Sequence, residues 1–428
     1  MLARLIILML LLPLALPLAA QEAQPATQTP EQAELAPAFH FALPLYTMAR
    51  TRSLLPAANR LVYRTALADE TSRDVTTPNN DTLYATAFLD LASGPLILTL
   101  PSLAGRYHSV AIMNMATDNL ALLGTRTGAA GARYALVAQD YTGPLPEDAI
   151  PLRLACRDCW LLARVLVSGP DDVEAAAEAL SQITLEAPEA ELIPFEAPTP
   201  PLPDAGTFLR AVNEVIARAG PASPLAARAK AFPALENPEL WAGQMLPLAQ
   251  DLRQSLASAG TLVNGWSYPD TDIGNAGEND LLRAQIALGG LGALPRVEAM
   301  YLSARTDSEG AALSGDNAYR LRIPYNMPIG GFWSLTMYEQ APDGRLLYVA
   351  NPLDRFAVGD RSDHLRADRD GSTEIFIQPN RPTGERVVNW LPAPSGPFVL
   401  IFRAYLPQAE LLDGSFRLPP VTRAEPIP

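Results

Sequence analysis

Histidine and cysteine, the side chains that most often bind metals, are scarce in this sequence, with three histidines and two cysteines among 428 residues. A metal site built from these ligands is therefore nearly excluded, and we expect neither a metal nor another cofactor. Positive charge is also in short supply, because 32 Lys and Arg residues against 46 Asp and Glu residues leave a net charge of −14. A chain this acidic is a poor partner for nucleic acid or anionic lipid.

Long apolar runs are missing except near the N-terminus. The stretch from Leu5 to Leu18 carries no charge, follows a positively charged start and precedes two alanines. This pattern predicts a signal peptide over residues 1–20. A membrane anchor is the alternative, but the run is shorter than the ~20 residues that span a bilayer, and Pro13 and Pro17 interrupt it. We therefore expect a periplasmic or secreted protein with no membrane span after signal removal.

The two cysteines, Cys156 and Cys159, are separated by only two residues. In an exported protein they would meet an oxidising compartment, so we favour a local disulfide. A redox-active pair would open a helix, whereas the apolar residues that follow Cys159 are typical of a strand. A metal site would need a second pair of ligands that the sequence lacks, and two free thiols are the last alternative.

The pattern of apolar residues divides the chain into segments with different structure. Residues 21–36 are polar without periodicity and predict a disordered lead-in. Strand-like patterns over 37–185 predict an N-terminal β-sandwich, and the proline-dense stretch 186–203 predicts a stiff linker. Helical periodicity over 204–295 predicts a helical insert, and strand patterns return over 296–428, the predicted C-terminal β-sandwich.

Two strand segments occur twice in the same order. Tyr107–Met113 is similar to Phe332–Tyr338 at an offset of 225 residues, and Leu161–Leu166 is similar to Leu400–Tyr405 at an offset of 239. Ordered repeats with similar offsets indicate an internal duplication. The fold class that follows is mainly β, with two related antiparallel, jelly-roll-like β-sandwiches flanking a helical middle section.

An arginine stands in the middle of both copies of the second repeat, at Arg164 and Arg403. A buried guanidinium must be paired, because its desolvation costs several kcal/mol. Structural pairing with a carboxylate or a carbonyl inside the protein is the default interpretation. The alternative is a ligand carboxylate bound through two hydrogen bonds.

Serine hydrolase chemistry finds little support in the sequence. No G-x-S-x-G motif is present, which argues against an α/β-hydrolase. His108 is adjacent to Ser109, but neighbouring residues of a strand point to opposite faces. For His40, His108 and His364 we therefore expect structural or solvated positions rather than catalytic ones.

Several motifs resemble two known families. The first set resembles the N-terminal domain-of-unknown-function family 1254 and consists of Asn79-Asn80-Asp81-Thr82-Leu83-Tyr84, Gly94-Pro95, Arg106-Tyr107 and Gly124-Thr125-Arg126-Thr127-Gly128. The second set resembles its partner family 1214 and consists of Phe332–Tyr338, Asn351-Pro352, Arg355, Asp370-Gly371-Ser372, Asn389–Pro394 and Arg403-Ala404-Tyr405. The resemblance covers most of the mature chain and implies two β-sandwiches with helices between them, in bacterial proteins that are often exported. His108 departs from the pattern, where an aromatic residue is more usual.

The ligand-binding candidates come from these matching motifs and are Asn80, Asp81, Tyr84, Arg126, Trp333, Tyr338, Asn351, Arg355 and Trp390. For Asp81 and Tyr84 the alternative is a turn cap and a core residue, because Asn and Asp side chains accept local backbone hydrogen bonds. For Trp390 the alternative to a ring-stacking wall is a rigid loop packed on the sandwich.

The expected partner is a small organic molecule in a cleft between the two sandwiches, since pockets favour domain interfaces. If the protein is an enzyme, hydrolysis of an ester or glycoside-like nutrient is the first hypothesis. The alternative is a non-catalytic module of the cell envelope or of an assembly, as jelly rolls also build shells. A homo-oligomer remains an option.

Overall fold

The structure is a computed structural model that describes residues 30–73, 76–103, 105–189, 192–341 and 344–426. The predicted signal peptide and the first part of the predicted lead-in lie outside these ranges. The described chain is mainly β, with strands in four sheets and helices concentrated in the middle. The predicted fold class is therefore confirmed.

The N-terminal β-sandwich consists of a five-stranded and a four-stranded sheet that enclose one apolar core. Its strands are β1 Val62–Arg64, β2 Thr82–Asp90, β3 Leu96–Leu100, β4 His108–Asn114, β5 Asn119–Gly124, β6 Ala132–Ala138, β7 Ile150–Leu154, β8 Asp158–Leu166 and β9 Thr184–Glu186. The strand orders are β1-β2-β8-β4-β5 and β7-β6-β3-β9. Every residue of β8 is buried, because one face meets this core and the other meets the rest of the protein.

The C-terminal β-sandwich has a seven-stranded and a four-stranded sheet around a second core. Its strands are β10 Thr261–Val263, β11 Trp266–Tyr268, β12 Ala299–Ala304, β13 Ala318–Ile323, β14 Ile329–Gln340, β15 Leu346–Leu347, β16 Ala357–Gly359, β17 Thr373–Gln378, β18 Trp390–Pro392, β19 Phe398–Pro407 and β20 Thr422–Ala424. The orders are β10-β11-β12-β19-β14-β15, with β16 also on β14, and β18-β17-β13-β20. Strands β10 and β11 fall inside the segment that the sequence predicted to be helical.

The two sandwiches share one topology. Strands β2, β8, β4 and β5 correspond to β12, β19, β14 and β16, and the small sheet β7-β6-β3-β9 corresponds to β18-β17-β13-β20. The directions match as well, since β6–β7 and β17–β18 are both parallel pairs whereas the remaining pairs are antiparallel. The sheets are thus not purely antiparallel. A shared strand order with the same parallel exception supports the duplication that the sequence repeats indicate.

The N-terminal helix and the helices of the middle segment form a layer that packs on the large sheet of the N-terminal sandwich, and two short helices follow β8 and β19. The helices are α1 Pro30–Ser53, α2 Val173–Ser181, α3 Ala205–Ala219, α4 Pro224–Ala229, α5 Met245–Ser255, α6 Asp280–Gly289 and α7 Ala409–Asp413. Helix α1 starts within the predicted lead-in, and from Leu35 to Arg52 nearly all its residues are buried. It packs on α3 and α6, so it belongs to the helical layer. A helix that is apolar all round is stable only when it is enclosed in this way.

A disulfide joins Cys156 and Cys159, so the predicted pairing is confirmed. The loop it closes contains the buried Asp158. The Asp158 carboxylate accepts hydrogen bonds from Arg218 on α3 at 2.6 and 3.0 Å and lies 3.2 Å from Arg52 on α1. These ion pairs fix the helical layer to the N-terminal sandwich. Within the described ranges, no helix has the length and apolar character needed to cross a bilayer.

Candidate functional site

The outer faces of the two large sheets meet at the centre of the molecule, where each presents a row of three matching side chains. In the N-terminal sheet, Arg164 on β8 is directly opposite Tyr84 on β2 and Ser109 on β4. In the C-terminal sheet, Arg403 on β19 is directly opposite Tyr301 on β12 and Ser334 on β14. We call the rows Tyr84–Arg164–Ser109 and Tyr301–Arg403–Ser334 the N-terminal rung and the C-terminal rung. The same residue types at the same register extend the duplication into the site.

Each arginine lies over the ring of the tyrosine in its rung. The guanidinium carbon is 5.7 Å from the ring centroid of Tyr84 for Arg164, and 5.2 Å from that of Tyr301 for Arg403. Both arginines are buried, with 5% and 1% of their surface exposed. Cation–π contact stabilises a desolvated guanidinium but supplies no hydrogen-bond acceptor.

Arg403 is held by the protein on several sides. Its Nη1 donates to Thr336 Oγ1 at 2.6 Å, and its Nη2 donates to the hydroxyl of Tyr338 at 2.6 Å and to the Thr77 carbonyl at 3.5 Å. The next carbonyl, that of Pro78, accepts hydrogen bonds from the hydroxyls of Tyr338 and Tyr348 at 2.5 and 2.6 Å. Two backbone carbonyls of the N-terminal half therefore complete the hydrogen bonds around the C-terminal rung.

Arg164 has far fewer partners. Its Nη2 donates to the Gly292 carbonyl at 2.8 Å, while Nε and Nη1 are buried without a hydrogen-bond partner. In the described part of the chain, no carboxylate lies within ion-pair distance of Arg164. A buried guanidinium with most of its donors unused is costly to desolvate, so this position is the most unusual feature of the site.

Two carboxylates lie at equivalent positions, three residues before the rung tyrosines. The carboxylate of Asp81 accepts a hydrogen bond from the hydroxyl of Ser334 at 2.6 Å. That of Glu298 accepts from the hydroxyl of Tyr107 at 2.8 Å and from Arg126 Nε at 2.7 Å. Each acid thus reaches from its own half of the chain to the opposite sandwich and joins the two.

Tyrosine hydroxyls connect the rungs to each other. The side-chain amide of Asn79 donates to the hydroxyl of Tyr84 at 3.1 Å and to that of Tyr405 at 2.9 Å. The hydroxyl of Tyr405 is 3.0 Å from that of Tyr301. Burial raises the pKa of Tyr301, and raises that of Tyr405 well above its ordinary value. Both hydroxyls are therefore protonated at neutral pH.

Solvent reaches this cluster beside Tyr301. Tyr301 is 38% exposed, although its neighbours Arg403 and Tyr405 on β19 are buried. Tyr84, on the facing sheet, is half-buried. The interface between the two sandwiches is therefore open to solvent beside the rung tyrosines, and we call this solvent-facing part of the interface the cleft.

Five of the residues predicted from the sequence lie at this interface. Asp81, Tyr84, Arg126 and Tyr338 make the contacts described above, and the Asn80 side chain accepts a hydrogen bond from the hydroxyl of Tyr348 at 3.3 Å. The structure brings them together with Arg164 and Arg403, which the sequence interpreted as structural buried charges. The interface thus contains five of the nine ligand-binding candidates and both arginines.

The other four candidates lie elsewhere in the C-terminal sandwich. Trp333 stacks on Phe402 at a centroid distance of 5.5 Å, in the core. Trp390 is fully buried and donates to the Gln378 carbonyl at 2.7 Å.

Asn351 and Arg355 occupy a loop of the same sandwich. The Asn351 side chain accepts a hydrogen bond from the backbone N–H of Arg355 at 3.0 Å. Nη1 of Arg355 donates to the carbonyl of Trp390 at 2.7 Å and to that of Val387 at 3.0 Å. These side chains order the loop around themselves.

Other residues of the cluster were not among the candidates, and one sequence signal could have found several of them. Pro78-x-x-Asp81-x-x-Tyr84 is repeated as Pro295-x-x-Glu298-x-x-Tyr301. The backbone contacts agree, because Val167 N–H donates to the Asp81 carbonyl and Leu406 N–H donates to the Glu298 carbonyl, both at 2.9 Å. This repeat identifies Glu298 and Tyr301. Asn79 and Tyr405 carry no comparable signal, since their roles depend on how the two sheets pack.

Comparisons with known proteins agree with the two halves of the chain. Residues 58–187 match the family model "Protein of unknown function (DUF1254)" and residues 298–409 match "Protein of unknown function (DUF1214)", together more than half of the chain. The VPA0106 protein from Vibrio parahaemolyticus is similar in structure, with a TM-score of 0.68, 21% identity, and coverage of 92% of this chain and 100% of that one. An uncharacterized protein from Burkholderia cenocepacia matches with a TM-score of 0.49 and 13% identity, covering 92% of this chain and 93% of that one. A comparison with curated proteins finds no significant match. The chain therefore belongs to the family of two-part proteins in which a DUF1254 region is followed by a DUF1214 region.

Proposed function

We propose that the protein binds a small organic molecule in the cleft between the two sandwiches, beside Tyr84 and Tyr301. The observation that carries this proposal is the state of Arg164, which is 5% exposed and makes one hydrogen bond. Leaving a buried guanidinium unpaired costs several kcal/mol, a cost that a bound ligand can offset. Tyr301, exposed on the opposite side of the cleft, gives that ligand a surface to bind.

Arg403 serves as an internal reference for this argument. It stands at the equivalent position of the second sandwich, and its Nη atoms donate to Thr336, Tyr338 and Thr77. In the second sandwich, desolvation of the arginine at this position is thus compensated by acceptors in the protein. The shortage of hydrogen-bond acceptors around Arg164 is specific to the N-terminal half, as expected if that half provides a binding site.

Binding accounts for the geometry better than hydrolysis does. Nucleophilic hydrolysis by a hydroxyl or thiol needs a serine, threonine or cysteine aligned with a base. In the described ranges no histidine is hydrogen-bonded to a serine. Nδ1 of His108 lies 3.0 Å from the Arg106 carbonyl and 3.3 Å from the Thr125 hydroxyl, and that hydroxyl accepts a hydrogen bond from the backbone N–H of His108. Ser334 donates to Asp81, but both side chains are buried and join the two sandwiches. Hydrolysis of an ester or a glycoside is therefore not part of the proposal.

The test is a binding screen with matched tyrosine variants. Thermal shift with a panel of small acids, amides, esters and sugars, followed by calorimetry, should identify a ligand. Tyr301→Phe should weaken its binding about fivefold or more, because a hydrogen bond to the ligand is lost. Tyr63→Phe is the control, since Tyr63 is also 38% exposed but its hydroxyl donates to the Ile183 carbonyl. If no compound of the panel binds, or if Tyr301→Phe and Tyr63→Phe weaken binding equally, the proposal is contradicted and a non-catalytic envelope or assembly module is favoured.

We also propose that the protein is exported to the periplasm or secreted. The uncharged run from Leu5 to Leu18 supports this, and so does the disulfide between Cys156 and Cys159, because disulfides persist in oxidising compartments. Mass spectrometry of the protein isolated from its host should find an N-terminus near Gln21. A mature protein that retains Met1 would contradict this proposal.

A further inference from the structure

The cleft has more hydrogen-bond donors than acceptors. Arg164 has Nε and Nη1 without a partner. The hydroxyl of Tyr84 accepts from Asn79, and its own proton has no acceptor among the described residues. Tyr301 and Tyr405 share one hydrogen bond between two hydroxyls, so one of their two protons is also unused. The ligand that completes this site must therefore be rich in acceptors.

The charges at this interface do not cancel either. Three guanidinium groups, those of Arg126, Arg164 and Arg403, face two carboxylates, those of Asp81 and Glu298. Glu298 is paired with Arg126 at 2.7 Å, and Asp81 interacts electrostatically with Arg403. Arg164 is left as one uncompensated positive charge.

Other charged groups near the rungs do not change this count. Arg361 is paired with Asp360 at 3.0 Å and lies over the Phe332 ring, so the pair contributes no net charge. The tyrosines stay protonated, because burial raises the pKa of Tyr107, Tyr301 and Tyr405. The excess is thus close to one unit of positive charge.

We infer that the ligand carries a single carboxylate, which lies against the hydroxyls of Tyr84 and Tyr301 with Arg164 as its counter-charge. The inference rests on the proposed function, because it concerns the ligand of the same cleft. An ionised carboxylate only accepts hydrogen bonds and carries one negative charge. It therefore matches both the excess of hydrogen-bond donors and the excess of one positive charge. A primary amide would bring N–H groups that find few acceptors, and it would leave Arg164 unpaired. A phosphate group carries about −1.5 to −2 charges at neutral pH, more than the site compensates.

The second rung explains why one carboxylate is expected rather than two. A dicarboxylate could use both arginines only if Arg403 offered free donors. Its two Nη atoms already donate to Thr336, Tyr338 and Thr77, and only Nε is without a partner. The second carboxylate of such a ligand would be desolvated without compensation.

The test compares acids with their own amides on the full chain. The probes are acetate, lactate and benzoate, each with its primary amide, together with succinate and inorganic phosphate. We expect at least one acid to bind about tenfold or more tightly than its amide, since hydrogen bonds to charged groups are the stronger ones. Binding of that acid should weaken below about pH 4, where a carboxylate becomes protonated. Succinate and phosphate should bind more weakly than the best monocarboxylate.

Variants of the site complete the experiment. Arg164→Gln should weaken acid binding about tenfold and should weaken amide binding by much less, because the amide loses a neutral hydrogen bond rather than a counter-charge. Arg322→Gln is the control for a lost positive charge, because Arg322 is 52% exposed and pairs with Asp370 at the surface. If Arg164→Gln does not fold, Tyr84→Phe provides the test, since it removes one donor and keeps the charge.

The possible failures point to different conclusions. Equal binding of acid and amide, or acid binding that Arg164→Gln and Tyr84→Phe leave unchanged, would overturn the carboxylate inference while the proposed binding function stands. A ligand from the wider panel without any anionic group would have the same meaning. Absence of binding by every acid, amide, ester and sugar would overturn the proposed function itself.

Discussion

The two rungs are built from the same three residue types, yet they are completed in different ways. Around Arg403, the protein supplies a threonine hydroxyl, a tyrosine hydroxyl and the Thr77 carbonyl. Around Arg164, the Gly292 carbonyl is the one acceptor among the described residues. After a duplication, one copy can keep a binding role while the other becomes part of the scaffold. Under the proposed function, the C-terminal rung joins the two halves, whereas the N-terminal rung is the one available to a ligand.

The largest expected effect comes from removing the two arginines in turn. Arg403→Met should lower the free energy of unfolding by about 3 to 5 kcal/mol, because Asp81 loses a buried counter-charge. Arg164→Met should cost less than about 1.5 kcal/mol, because one hydrogen bond to a carbonyl is lost and an unpaired charge disappears. Urea unfolding of both variants measures the difference. Equal losses would mean that Arg164 is as structural as Arg403, and would break the comparison.

The next effect concerns the equivalent acids. Asp81→Asn should cost about 2 kcal/mol, because Asp81 is buried and its charge stabilises Arg403. Glu298→Gln should cost less, because its partner Arg126 is 34% exposed and can turn towards water. Both variants make the cleft more positive, so both should bind a carboxylate more tightly than the natural protein does. Urea unfolding and calorimetry measure the two properties, and weaker carboxylate binding in both variants would contradict the charge argument.

How far the sequence predicts this arrangement depends on the residue. The repeats around Tyr107 and Phe332, and around Arg164 and Arg403, led to two related sandwiches, and the shared topology agrees with them. In the segment from Trp333 to Tyr338, polar and apolar residues alternate, and the structure turns Trp333 into the core and Ser334 towards the interface. The alternation alone therefore argues against Trp333 as a ligand contact.

Other features of the site could not be predicted from the sequence. Placing Tyr84 opposite Arg164 requires the register of strands separated by some eighty residues, and register depends on the packing of the whole sheet. Asn79 connects Tyr84 to Tyr405 across the interface, a contact between distant parts of the chain that leaves no local pattern. The cleft itself is a property of sheet packing.

A smaller effect tests whether the two halves are equivalent at the glycine of the edge strand. Gly124 on β5 and Gly359 on β16 are directly opposite Ser109 and Ser334, the last residues of the two rungs. A Cβ at Gly124 would collide with the His108 carbonyl, and one at Gly359 with the Trp333 carbonyl.

Gly124→Ala and Gly359→Ala should therefore each lower the free energy of unfolding by more than about 1 kcal/mol, with the larger loss at Gly124, whose φ of 134° is rarely adopted by residues with a Cβ. Gly396→Ala is the control, because a Cβ there meets no atom within 4 Å. Thermal and urea unfolding provide the measurement. A large loss in one half and none in the other would show that the rungs have diverged further than their geometry indicates.

The smallest effect concerns the residue after that glycine, where the halves differ by one charge. In the N-terminal half, the Thr125 hydroxyl accepts a hydrogen bond from the backbone N–H of His108 at 3.0 Å. In the C-terminal half, the Asp360 carboxylate accepts from the backbone N–H of Trp333 at 3.2 Å. Asp360→Thr would thus keep the hydrogen bond and remove the charge. Burial raises the pKa of Asp360, so its folded-state pKa lies above its unfolded-state value.

The sign of the pH effect follows from that direction. A carboxyl group with a raised folded-state pKa contributes stability below its unfolded-state pKa, and this contribution is lost as the pH rises through the folded-state pKa. The free energy of unfolding of Asp360→Thr minus that of the natural protein should therefore be higher at about pH 7 than at about pH 4. The difference should stay below about 1 kcal/mol, because Asp360 is 35% exposed and its pair with Arg361 is lost. Urea unfolding at both pH values measures it, and a variant that is relatively more stable at the lower pH would show that Arg361 outweighs burial at this position.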